Sequence, residues 1–228
     1  MRALVYTVLI NDMKLFRVWY NYYSKYFDAI HVLCYGTKKE YQKQLKKLKN
    51  TTIEYVADEV NRPEDIIHFL KEKQITFFEK YDWVLYCNLD EFLITKPSKF
   101  KDLRDLMKTY KKDYIHAIAY DIVKTPCELP IDYSRPILAQ RKNWVKNTDY
   151  NKIILSRVPL NWNAGTHQID SISGEESKCF KNKGLYLVHL KQIDHERQDD
   201  DLGPHYAIKP EEYRGDKAEL IPNFIKVI

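Results

Sequence analysis

Trp83-Val-Leu-Tyr-Cys-Asn-Leu-Asp-Glu-Phe92 is a short apolar run that stops abruptly in polar residues. Five consecutive apolar residues suit a strand covered on both faces of a sheet. Asn88, Asp90 and Glu91 then mark where that strand leaves the core. Strand alternation predicts Asn88 and Asp90 on one side and Leu89 on the other. A carboxylate at the C-terminal end of a strand is well placed to hold a hard cation. On composition and spacing alone, the same three residues also read as a solvated turn.

Upstream of this stretch, strand and helix patterns alternate. Residues 4–10 are an apolar run of strand length. Leu15, Phe16, Trp19, Tyr23 and Tyr26 then recur at helical spacing. Residues 29–35 form a second β-prone run. Tyr41, Leu45 and Leu48 mark a second helix, and residues 51–56 a third strand. Pro63 followed by Glu64 and Asp65 has the form of a helix start, because proline fits the first turn and acids suit the positive end of the dipole. Ile66, Ile67, Leu70, Phe77 and Phe78 line one face of that helix. Three strand–helix repeats leading into residues 83–87 predict an α/β fold: a single-domain mixed, mostly parallel sheet flanked by helices, Rossmann-like.

In such sheets ligands bind beyond the carboxyl ends of the strands. That rule selects residues 7–12, 35–37, 57–62 and 88–92. Thr7 opens the first of these segments and Arg62 closes the third, and both are candidate ligand contacts. The second half of the chain is less regular. Ser98 is a candidate cap for a short helix carrying Leu103, Leu106 and Met107. Residues 114–123, 137–140, 152–156 and 185–190 are candidate strands. The expected organisation is one domain over 1–228, with 1–95 the ligand-binding half and 96–228 the second half plus a C-terminal extension.

Composition bounds the function classes. The 228 residues are 44% hydrophobic and 30% charged, enough for a core and too apolar for disorder. The net charge of +5 is spread along the chain. Its densest run, residues 43–49, interleaves lysines with leucines at helical spacing, which reads as a solvated helix face rather than a nucleic-acid surface. Cys34, Cys87, Cys127 and Cys179 show no metal-site spacing. Cys34 and Cys87 fall in apolar runs, and free buried thiols predict a reducing, cytoplasmic setting. No segment is long and apolar enough to span a bilayer, and the N-terminus reads as a strand rather than a signal peptide. Peripheral membrane contact stays open.

The 83–92 segment resembles the Asp-x-Asp-Glu-Phe signature of nucleotide-sugar glycosyltransferases with the type A fold, closest to their family 2-like branch. The opening strand and aromatic helix with Trp19 and Tyr20 resemble the N-terminus of that branch. Asn161-Trp-Asn-Ala-Gly-Thr-His167 resembles its Trp, Gly-x-His element, and Leu185-Tyr-Leu-Val-His-Leu-Lys-Gln-Ile-Asp194 its late strand ending in His. These matches span residues 1–195 in the expected order. The resemblance implies transfer of a sugar from a nucleotide diphosphate sugar, with UDP the expected nucleotide, to a hydroxyl of a glycan or glycoconjugate acceptor.

It implies Mn²⁺ or Mg²⁺ held by Asp90 and His189. Asn88 replaces the first Asp of the signature and brings no charge, so the metal would rest on Asp90, the diphosphate and His189. Asn88, Thr7, Arg62 and Lys191 are then the donor-binding candidates, and Asp121 and His167 the candidate bases. Outside the resemblance, His189 reads equally as a satisfied core histidine and Lys191 as an exposed lysine. Three rivals stand beside this reading. A nucleotidyltransferase would need a Gly-rich loop where Ile10-Asn-Asp-Met-Lys14 stands. A non-catalytic carbohydrate-binding module would explain Asn88. A metallohydrolase on Asp90, His167 and His189 lacks a local His pair.

Overall fold

The computed structural model describes residues 1–35, 39–56, 63–124, 128–141, 143–147, 150–162 and 184–190. In chain order the elements are β1 (Ala3–Ile10), α1 (Met13–Tyr23), β2 (Ala29–Tyr35), α2 (Lys39–Leu45), β3 (Thr51–Val56), α3 (Pro63–Phe78), β4 (Trp83–Tyr86), β5 (Glu91–Thr95), α4 (Leu103–Thr109), β6 (Tyr114–Val123), a 3-10 turn (Ile137–Ala139), β7 (Asn143–Lys146), β8 (Lys152–Ser156) and β9 (Leu185–His189). Among the described residues nine strands form one sheet of order β3-β2-β1-β4-β8-β6-β9-β5, with β7 beside β6 off that path.

The class is the expected one, a mixed α/β sheet flanked by helices. Its N-terminal half is parallel: β3, β2, β1 and β4 run in one direction. β8 then enters antiparallel between β4 and β6. Beyond it β9 is parallel to β6, and β5 closes the edge antiparallel to β9.

Alternation along β1 builds a core on each face of the sheet. Ala3, Val5 and Leu9 pack with Phe16, Trp19 and Tyr23 of α1 and with Leu106 of α4. Leu4 and Tyr6 pack on the opposite face with Leu70 and Phe77 of α3. The aromatic face of α1 also closes a sheet edge. The Tyr23 hydroxyl donates to Glu91 O and accepts from Leu93 N, both at 3.0 Å, and the Tyr22 hydroxyl donates to Leu93 O at 2.5 Å. Among the described residues, the side of β5 away from β9 thereby finds partners without another strand.

Four local expectations are corrected. Helix α4 is capped by Asp102, whose carboxylate accepts from Asp105 N at 2.8 Å, and not by Ser98; a carboxylate directly before the first turn reaches its free N–H groups. Residues 137–139 are a 3-10 turn rather than a strand, entered through Pro136. Strands β5 and β7 were not foreseen. Nor does β4 carry Asn88 and Asp90 on one side, because it ends at Tyr86 and the chain turns before β5.

Cys34 and Cys87 are buried free thiols, as expected; Cys127 and Cys179 lie outside the described residues. No helix among those residues is long and apolar enough to cross a membrane.

Candidate functional site

The parallel half has its switch point between β1 and β4. The chain leaves β1 toward β2 on one side and returns to β4 on the other, the position at which parallel sheets form a ligand crevice outside the strands' carboxyl ends. Residues 87–90 emerge there. Cys87 N donates to Tyr6 O at 3.2 Å, and Glu91 N donates back to Asn88 O at 3.1 Å, closing a turn. From this turn β5 runs to the far edge of the sheet. Its antiparallel register sets Glu91 opposite His189, and the parallel β6–β9 register sets Asp121 beside His189. A further bond from Leu190 N to Asp90 O, 2.7 Å, ties the turn to the end of β9.

Long-range pairing therefore brings together residues that are far apart in sequence. His189 Nδ1 lies 2.9 Å from Asp121 Oδ1, and His189 Nε2 lies 3.3 Å from Asp90 Oδ2. Asn147 Nδ2 donates to the other Asp121 oxygen at 2.6 Å. The Tyr150 ring packs on the imidazole with centroids 4.7 Å apart. His189 and Asp121 are buried, whereas the Asp90 side chain keeps 28% of its surface exposed. The cluster is thus closed behind and open at Asp90.

Burial alone pushes the His189 imidazole down. The charge of Asp90, hydrogen bonds to Asp121 and Asp90, and the charge of Glu91 outweigh it and raise the pKa to about 10. Burial likewise pushes the Asp90 carboxyl up. The charge and hydrogen bond of His189, with the charge of Lys152, overcome that and hold it below the usual carboxylate range.

The fit to a divalent cation can be read from this donor set. One carboxylate and one imidazole nitrogen converge, and the second imidazole nitrogen is held by a carboxylate, as outer-shell partners of metal-bound histidines do. Among the described residues no three His, Cys, Asp or Glu side chains form a complete metal site. A cation here would have two protein ligands, would displace the proton that the His189 imidazolium carries on Nε2, and would take further oxygens from a bound substrate or water.

The remaining candidates separate. Asn88 lies in the same turn, and its Oδ1 accepts from the Tyr86 hydroxyl at 2.7 Å. Thr7 is fully buried inside β1, so it offers no surface to a ligand here. Asp121, expected as a free base, has both carboxylate oxygens engaged. Arg62, His167 and Lys191 lie outside the described residues. The sequence reading did not find Asn147, Tyr150 or Lys152. The first two sit on connections with no motif, and a lysine beginning a strand ordinarily reads as exposed.

The architecture and the site define an α/β protein with a carboxylate–histidine–carboxylate cluster at the edge of its switch-point crevice. No family profile and no curated protein sequence matches the chain. Among solved structures it is similar to a protein of Desulfovibrio desulfuricans G20 assigned provisionally as a nucleotide-diphospho-sugar transferase, at 14% identity and a TM-score of 0.32 over 53% of this chain and 59% of that one. It is also similar to 4-diphosphocytidyl-2C-methyl-D-erythritol synthase of Anaerococcus prevotii DSM 20548, at 14% identity and a TM-score of 0.33 over 68% and 70% of the two chains. The match therefore spans about three-fifths of the length of the first of these proteins. Likeness at this level carries no argument about activity, and the class stands on the chain's own strand pairing.

Proposed function

We propose that this chain is a glycosyltransferase that moves a sugar from a nucleotide diphosphate sugar, with UDP the expected nucleotide, onto a hydroxyl of a carbohydrate acceptor. The observation that carries the reading is the convergence of Asp90 and His189 beside the switch-point crevice, with Asp121 fixing the imidazole from behind. A divalent cation, Mn²⁺ or Mg²⁺, held there would supply positive charge where the leaving diphosphate accumulates negative charge.

The chain's own groups divide the work. Asp90, partly exposed, faces the crevice. Asp121 selects which imidazole nitrogen is left for Asp90 and the cation, so it acts as a positioning residue rather than as the proton acceptor. Asn88 meets a ribose hydroxyl or phosphate oxygen through its amide N–H groups, while its oxygen accepts from the Tyr86 hydroxyl. The base that takes the acceptor proton then falls to His167 or a neighbouring group, with Arg62 and Lys191 the candidate partners of the diphosphate.

Calorimetric titration with a panel of nucleotide diphosphate sugars, with Mn²⁺ and with chelator, tests the reading. The expected result is one preferred donor whose binding needs the metal and weakens about 100-fold or more in Asp90→Ala. Failure of every donor to bind with metal present would sink the transferase reading in favour of a carbohydrate-binding module.

A further inference from the structure

Beneath the turn that presents Asp90 lies a second ion pair. Lys152, the first residue of β8, and Glu91, the first of β5, are 2% and 1% exposed and bond through Lys152 Nζ and Glu91 Oε1. The second carboxylate oxygen, Oε2, accepts from Asn88 N at 3.1 Å, while Glu91 N donates to Asn88 O at the same distance. Residue 91 therefore grips residue 88 twice, once through its backbone and once through its side chain.

A dry ion pair is a poor way to gain stability, because removing both charges from water offsets most of their attraction. Apolar side chains of similar volume would fill the space taken by Glu91 and Lys152 as well. What they could not do is accept from the part-buried Asn88 N–H, whose bond goes to Glu91 Oε2. The lysine holds one carboxylate oxygen and so aims the other at the Asn88 N–H. Adjacent acids thus take different partners: the partly exposed Asp90 meets His189 and the buried Glu91 meets Lys152.

We propose that Lys152 and Glu91 are positioning residues that latch the Asn88–Asp90 turn in the geometry needed for binding a nucleotide diphosphate. The ligand in this inference rests on the functional reading above; the latch itself does not.

Two charge-free double variants test it, because removing one partner alone would strand a buried charge and unfold the site. Glu91→Gln/Lys152→Met keeps an oxygen for the Asn88 N–H; Glu91→Leu/Lys152→Met does not. Amide hydrogen exchange is read by NMR, and the affinity for UDP with Mn²⁺ by titration, on variants matched for global stability. At Asn88 the Leu variant is expected to exchange about tenfold faster or more than the Gln variant, and to bind UDP–Mn²⁺ about tenfold more weakly. Equal exchange in the two variants, close to wild type, would show that no latch exists. Different exchange with equal affinity would overturn the positioning role. If wild-type protein binds neither UDP nor Mn²⁺ while Asn88 exchange still separates the variants, the latch stands and the transferase reading fails.

Discussion

His189 is held between two carboxylates that differ in exposure and in partners. Asp121 is buried and spends its second oxygen on Asn147, so its carboxylate cannot swing away from the imidazole without breaking two bonds. Asp90 has solvent on one side. This asymmetry predicts different losses. Asp121→Asn preserves shape but presents the ring with a weaker, uncharged partner, and should lower Mn²⁺ affinity by about 10–100-fold while leaving the protein folded. Metal titration followed by circular dichroism checks both halves; unchanged affinity would remove Asp121 from the positioning role. Asp121 was visible in the sequence as a carboxylate near the acceptor side. Its link to His189 was not, because the two are 68 residues apart.

The elements that carry the site depend on polar bonds placed inside apolar packing. Tyr23 is the sharpest case: one hydroxyl serves both Glu91 O and Leu93 N on the open side of β5. Tyr23→Phe leaves the Leu93 N–H without its acceptor and Glu91 O with only the Cys87 thiol, 3.1 Å away, and should cost about 1–3 kcal/mol in denaturant unfolding. A cost near zero would mean that water can replace the hydroxyl there. Helix α4 offers a cleaner pair. Asp102→Ala should lose about 1 kcal/mol through the missing cap, whereas Ser98→Ala should change nothing measurable; thermal melts of the two side by side decide which residue caps. The periodicity of Leu103, Leu106 and Met107 located this helix, but Ser98 was the cap read from the sequence and Asp102 is the cap in the fold. Only the extended backbone at Asp102, with its carboxylate on Asp105 N, selects one.

At the scale of the whole molecule, stability should depend on mild acid through a group remote from the site. His31 of β2 is buried, bonds Glu54 at 3.0 Å and lies against the Phe77 ring of α3; Lys73 reaches the other Glu54 oxygen at 2.6 Å. Burial pushes the imidazole below its ordinary 6.5, with Lys73 adding to the shift and Glu54 opposing it. The unfolded chain then takes up a proton at higher pH than the folded one. Stability from neutral His31 is complete above about pH 6.5, falls as pH drops through that value toward the lower folded pKa, and levels off below it. Urea midpoints at about pH 7.5 and about pH 5.5 should differ more in wild type than in His31→Gln; equal differences would remove His31 as the cause.

Strands β1, β2, β3, β6 and β8 lie where their apolar runs placed them, and α1 and α3 where their periodic faces did. Those features are local: burial on one or both faces is written into neighbouring residues. The acids of the 83–92 segment were likewise visible as an unusual end to a strand, and resemblance supplied their chemistry. Strand order is a different kind of property. β5 follows β4 after a short turn, yet β8, β6 and β9 separate them in the sheet. Registers between strands distant in sequence set Glu91 and Asp121 beside His189. The union of Glu91 with Lys152 likewise spans 61 residues. No local pattern encodes such neighbours, since pairing is chosen by how the whole sheet buries its faces and satisfies its edges.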